Sequence, residues 1–169
     1  YAVTGSPMFD QIQHLNPDTV RAKYGIAGDR KIVLLMLAVV EPTTPERNLL
    51  WGEASRWARA KTALRLGKAR LLPEIIRGDT FRQLAISIRR FCDRNGAALV
   101  VKSRSKQKDP EYIAELADLY LDGSEENYYP HFTSYELMSL ADLCIAANSM
   151  AVLEAVALGI PVVNLQVPL

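Results

Sequence analysis

Only two cysteines occur in 169 residues, Cys92 and Cys144, and neither belongs to a C-x-x-C pair or a Cys/His array. That excludes a disulfide scaffold and a tetrahedral zinc site, and it leaves both thiols reduced and structural. An excess of one charge is equally lacking. The 20 Lys and Arg residues face 19 Asp and Glu, and a net charge of +1 gives no global reason to expect nucleic acid. No segment has the apolar length that crosses a bilayer, and Tyr1-Ala2-Val3-Thr4-Gly5 has neither the basic nor the long apolar stretch of a secretory leader. The expected location is cytoplasmic. Three chemical signatures are missing as well: there is no G-x-x-x-x-G-K-[ST], no G-x-S-x-G, and no G-x-G-x-x-G, because Gly25-Ile26-Ala27-Gly28 lacks the spacing. Ser149 is therefore a poor hydrolase nucleophile, and neither a cofactor nor a metal is expected.

What is present is the composition of an ordinary globular domain, 49% hydrophobic and 23% charged. The start without Met and the stop at Val167-Pro168-Leu169, directly after an apolar run, lead us to expect a piece of a longer protein. Along the chain, Tyr1–Thr4 reads as a short strand and Phe9, Ile12 and Leu15 as a brief helical pattern. Asn16-Pro17-Asp18 opens a second helix, with Asn16 as N-cap, that ends near Tyr24-Gly25. Lys31–Val40 is a continuous apolar run, as in a parallel strand covered on both faces.

The stretch from 41 to 78 is rich in cations, and Leu50, Trp57, Leu64 and Leu71 recur at heptad spacing. It reads as a basic amphipathic helix that contacts an anionic membrane or a partner, or as the solvated face of a packed helix. Asp79-Thr80 caps a helix carrying Phe81, Leu84, Ile88 and Phe91, stopped by Asn95-Gly96. Ala97–Val101 is a buried strand, and Lys102-Ser103-Arg104-Ser105-Lys106 is a cationic loop at its carboxyl end, placed to meet a phosphate or simply to be solvated. Pro110–Leu121 reads as helix throughout. Thr133-Ser134-Tyr135-Glu136 has the form of a capping box on a helix running to Leu140. The order is βαβαβ: an α/β, Rossmann-like open parallel sheet.

The most informative segment is the last. From Leu140 to Asn164 the chain reads as buried strand, polar turn, helix of small residues, a stop at Gly159 and second buried strand. Ligands of open α/β sheets bind outside the carboxyl ends of the strands, where a helix N-terminus offers N–H groups and a positive dipole end to an anion. Asn148 or Ser149 can cap this helix or donate to a phosphate, and Met150, Ala151 and Val152 present first-turn amides. Ala151 and Ala155 let a ligand or a neighbouring strand come close. Glu154 can accept from vicinal hydroxyls such as those of ribose, or simply answer the helix dipole. Asp142 reads as a structural residue at the start of a strand.

Residues 141–163 resemble the donor-binding segment of GT-B glycosyltransferases and their relatives, nearest to lipid-A-disaccharide synthases, CDP-glycerol glycerophosphotransferases and non-hydrolysing UDP-N-acetylglucosamine 2-epimerases. Val3-Thr4-Gly5-Ser6-Pro7-Met8-Phe9-Asp10 is similar to the interdomain junction of that superfamily, and Leu99-Val100-Val101-Lys102 to its strand ending in a basic loop. The resemblance implies the C-terminal half of a GT-B type fold, with a junction over 1–29 and the nucleotide-binding domain over 30–169. It implies a transferase that moves a sugar or polyol phosphate from a nucleotide-activated donor in surface polysaccharide or glycolipid synthesis, inactive as an isolated fragment. The N-terminal half of the same protein would supply acceptor site and general base. Asn148, Ser149, Met150 and Ala151 would hold the phosphates with Lys102 and Arg104, Glu154 the ribose, and His131 and Phe132 the base.

Two departures bear on the alternatives. Ser103-Arg104-Ser105 stands where the glycerophosphotransferases and epimerases carry His, and Ser149–Ala155 replaces the epimerase S-G-G-x-x-E-E with a single acid. A 2-epimerase relative is the second expectation. A non-catalytic assembly or membrane-surface module, using residues 47–77 at the inner face of a membrane, is the third.

Overall fold

A computed structural model describes residues 15–26, 28–36, 49, 54–77, 80–103, 109–122, 133–146 and 150–165. The chain divides into two compact units, one of residues 1–38 and 89–169 and one of residues 39–88.

The first unit is built on five parallel strands: β1 (Ile32–Met36), β2 (Ala98–Lys102), β3 (Leu119–Leu121), β4 (Leu143–Ala146) and β5 (Val162–Asn164), in the order β3-β2-β1-β4-β5. This is a Rossmann-like α/β fold. The central strands are buried on both faces, as their unbroken Ile, Val and Leu runs require. Pairing sets Leu34 beside Val100 and Cys144, and Met36 beside Ala146. Side chains in such a row share one face of the sheet. On that face lie α1 (Pro17–Tyr24), α6 (Thr133–Leu140) and α7 (Met150–Ala157), whose Val20, Leu137, Met138, Leu140, Ala151 and Ala155 form one core with Ile32, Leu34, Val100, Cys144 and Ala146. Ala151 and Ala155 are the small residues that let α7 settle on the strands. Of their two readings, close approach to a strand is the one realised.

The helix ends follow local chemistry. Asn16 Oδ1 accepts from the amides of Asp18 (2.9 Å) and Thr19 (3.4 Å), Pro17 fills the first helical position, and Gly25 ends α1 at φ +64°. In the predicted capping box of α6, Glu136 faces α1. It accepts from Lys23 Nζ at 2.7 Å and from the Tyr24 hydroxyl, so it docks α1 against α6. The charge of Lys23 and the Tyr24 contact hold its carboxyl below the usual range despite partial burial.

Three expectations are corrected. The helix predicted over Pro110–Leu121 is α5 (Glu111–Leu116) followed by β3. Tyr112, Ile113, Leu116 and Leu119 fit a helical stripe, and a three-residue strand adds too little alternation to break it. The strand after Gly159, expected to be buried, is β5 at the edge of the described sheet, with Val163 44% exposed. The heptad stripe across 41–78 is not one helix either. Within the second unit, α2 (Arg56–Arg65) ends where Gly67 takes φ +68°, with Gly67 N–H donating to Leu64 and Lys68 N–H to Ala63, and a short 3-10 turn (Ala69–Leu71) leads into α3 (Leu72–Arg77). Leu49, Ala63 and Ile75 are the buried core of this unit, flanked by Ala60, Leu71 and Leu72. The next helix, α4 (Thr80–Arg94), begins in the second unit and ends in the first. The readings at Tyr1–Thr4, Phe9 and Ile12, Leu37–Val40, Leu50, Asp79, His131 and Phe132 lie outside the described residues.

Candidate functional site at the strand reversal

Strand order decides where a doubly wound sheet can bind a ligand. From β1 the chain proceeds outward to β2 and β3, then returns past β1 to β4 and β5, so the strand order reverses between β1 and β4; in sheets of this kind the ligand crevice lies outside the carboxyl ends of the two strands at the reversal. Met36 and Ala146 are paired at that edge. The helix that follows β4 is α7, and its first turn stands at the same edge. Of the predicted anion corner, Met150 and Ala151 thus stand at the topological switch point.

Lys102 closes β2 and pairs with Leu121 on one side; extending the Leu35–Val101 pairing by one residue sets it beside Met36 on the other. Leu121, Lys102, Met36, Ala146 and Asn164 therefore form the last row of the sheet. By the alternation of the pleat, Lys102 projects from the face that carries α6 and α7. From β2 to β4 is about 10 Å, two strand spacings. Burial lowers the Lys102 pKa, and the negative charge of Glu154 opposes that shift, which places the two groups in one electrostatic neighbourhood.

Glu154 is half-buried on α7, and its Oε1 accepts a hydrogen bond of 3.0 Å from the hydroxyl of Tyr135 in the first turn of α6. Burial and this bond both raise the Tyr135 pKa, so the phenol stays protonated as donor. A carboxylate has about four acceptor positions, and Tyr135 uses one of them while fixing the direction of the rest. Sequence reasoning missed Tyr135, since nothing local distinguishes an aromatic in a helical stripe from a core residue.

The structure thus brings Lys102 and Glu154 to one edge with Ala151 and the start of α7 at Met150. Ala151 is already engaged within the protein, so the site does not depend on an unused Ala151 amide. Asn148, Ser149, Arg104, His131 and Phe132 lie outside the described residues. Asp142 behaves as expected: at the amino edge its Oδ2 accepts from the Ile32 amide at 2.8 Å, while its own N–H donates to the Ile32 carbonyl at 2.9 Å.

A second polar group near the carboxyl end of β2 was not foreseen. Asp109 is buried and faces the Tyr120 hydroxyl at 3.3 Å, next to the buried Ser103. Burial pushes the Asp109 carboxyl up to about 6, against the Tyr120 hydrogen bond and with help from Asp122. Tyr120 is pushed up to about 12, by burial and by the charge of Asp109.

Among the described residues no cluster of His, Cys, Asp and Glu is arranged to hold a metal ion, and no helix is long and apolar enough to cross a membrane. Compared with known protein families, with curated proteins and with solved structures, the chain matches none.

Proposed function

We propose that this chain is the donor-binding domain of a transferase that moves a sugar or polyol phosphate from a nucleotide-activated donor, in surface polysaccharide or glycolipid synthesis. The observation that carries the reading is the coincidence of the strand reversal between β1 and β4 with the start of α7. A nucleotide diphosphate laid across that edge meets the positive end of the α7 dipole and the Lys102 ammonium. Glu154, oriented by Tyr135, stands one turn further along and accepts from the ribose hydroxyls.

The same groups serve chemistry as well as binding. Displacement at the activated carbon or phosphorus leaves negative charge on the departing nucleotide, and a fixed dipole and ammonium stabilise that charge as it develops. The resemblance of residues 141–163 to GT-B donor-binding segments supports the same reading, with acceptor and general base drawn from another domain.

Titration calorimetry with UDP, CDP and GDP tests it. At least one of the three binds the chain with millimolar or tighter affinity, and Glu154→Ala weakens that binding by about tenfold, the value of one charge-assisted hydrogen bond. Absence of heat with all three nucleotides, or unchanged affinity in a folded Glu154→Ala variant, contradicts the proposal.

A further inference from the structure

The second unit carries a surface that nucleotide binding does not use. On α2, Trp57, Lys61 and Leu64 follow one another at i, i+4 and i+7 and so share one side of the helix. Trp57 is 86% exposed and Leu64 58%, while Ala63 and Arg59 on the other side are buried. Leu66, just past the helix, is 49% exposed. Trp57, Ala58, Ala60, Lys61 and Leu64 line a shallow, almost wholly apolar depression.

The charge on this element has one sign. Between Glu53 and Glu74 the chain holds Arg56, Arg59, Lys61, Arg65, Lys68 and Arg70 and no acid. Of these, Arg56, Lys61 and Arg65 are exposed on α2 itself, and Arg59 is turned inward, so it does not belong to the face.

We propose that this face of α2 docks on an anionic lipid surface. An indole flanked by leucine inserts its apolar body at the boundary between headgroups and acyl chains, while the surrounding cations meet the headgroup phosphates. Unbroken positive charge around an apolar centre complements an anionic bilayer on both counts. A nucleic acid matches the charge but leaves Leu64 and Leu66 without an apolar environment. The inference rests on the second unit alone and stands or falls separately from nucleotide binding.

The test is co-sedimentation of the full chain with vesicles of phosphatidylglycerol and phosphatidylcholine, against vesicles of phosphatidylcholine alone. The protein sediments with the anionic vesicles, salt releases it, and its tryptophan emission shifts to the blue. Each exposed cation contributes about fivefold to partitioning, so Arg56→Gln, Lys61→Gln and Arg65→Gln together lower it by on the order of a hundredfold. Trp57→Ser lowers it by about tenfold and removes the blue shift. These side chains are solvent-exposed, and an unchanged melting temperature shows that each variant folds. Failure to sediment with anionic vesicles, equal sedimentation with neutral ones, or binding that survives both sets of substitutions overturns the proposal. So does binding to an oligonucleotide that anionic vesicles fail to compete away.

Discussion

The two edges of the sheet use polar groups in opposite ways. At the amino edge, Asp118 and Asp142 each stand just before a strand and reach to the strand beside them. Asp118 Oδ2 accepts from the Leu99 amide at 2.7 Å and its N–H donates to the Leu99 carbonyl at 2.9 Å, as Asp142 does with Ile32. Arg89 adds a 2.6 Å contact to Asp118, and Arg30 lies 3.5 Å away. Both carboxylates accept from a neighbouring strand's backbone, Asp118 is also held by cations, and together they tie the strands to one another. At the carboxyl edge, Lys102 with Glu154, and Asp109 with Tyr120, are partly or wholly buried near one another's charge or hydroxyls. An edge saturated by its own backbone is structural. An edge that keeps ionisable groups at a cost in solvation is where a ligand can be met.

Breaking the amino edge has the largest effect. Asp118→Ala leaves the Leu99 amide without its acceptor, removes one of the two carboxylates that hold the Arg89 guanidinium, Asp93 being the other, and lowers stability by about 2–3 kcal/mol, measured by urea unfolding, with nucleotide affinity unchanged once folded. The pH dependence has a definite sign. Burial acts to raise the Asp118 pKa, but the Arg89 and Leu99 bonds outweigh it and the pKa is lowered. Its stabilising contribution is therefore present above the unfolded carboxyl value near 4, and is lost as pH falls through the lower folded value. The variant loses less stability than the parent over that acid range.

The carboxyl edge responds in the opposite direction and more weakly. Asp109 has its folded pKa raised to about 6, so the folded state favours the protonated acid, and stability falls as pH rises from about 4 through 6. Asp109→Asn, which keeps an acceptor for Tyr120 and removes the charge, stabilises the protein by about 1–2 kcal/mol at pH 7.5, allowing for solvent screening. Thermal melts between pH 4 and 8 check this: the gain shrinks to nothing toward pH 4. A gain independent of pH contradicts the assignment.

The same contrast marks how far the sequence could be read. On either side of the corner after β4 the elements were legible because each announces itself: a buried apolar run, small residues at helical spacing and Gly159 at φ +72°. The caps of α1, the end of α4 before Asn95-Gly96 and the strand β2 were legible for similar local reasons. β3 was not, since Leu119 continues the helical stripe of Tyr112, Ile113 and Leu116. A signal was nonetheless there: Ala117-Asp118-Leu119-Tyr120-Leu121 repeats the pattern of Ala141-Asp142-Leu143-Cys144-Ile145, in which Asp precedes a strand. Periodicity also hid the break at Gly67, because heptad spacing continues across it. The strand order, the Tyr135–Glu154 bond and the place of Lys102 beside β1 depend on pairing between distant segments, which no local pattern encodes.

Residue-resolved NMR of the chain during titration with UDP, CDP and GDP puts the contrast between the edges to its most direct test. Binding at the strand reversal shifts the amide signals of Met36, Lys102, Ala146, Ala151 and Glu154, and leaves those of Ile32, Leu99, Asp118 and Asp142 in place. Shifts confined to the amino edge, or none from any nucleotide, contradict it.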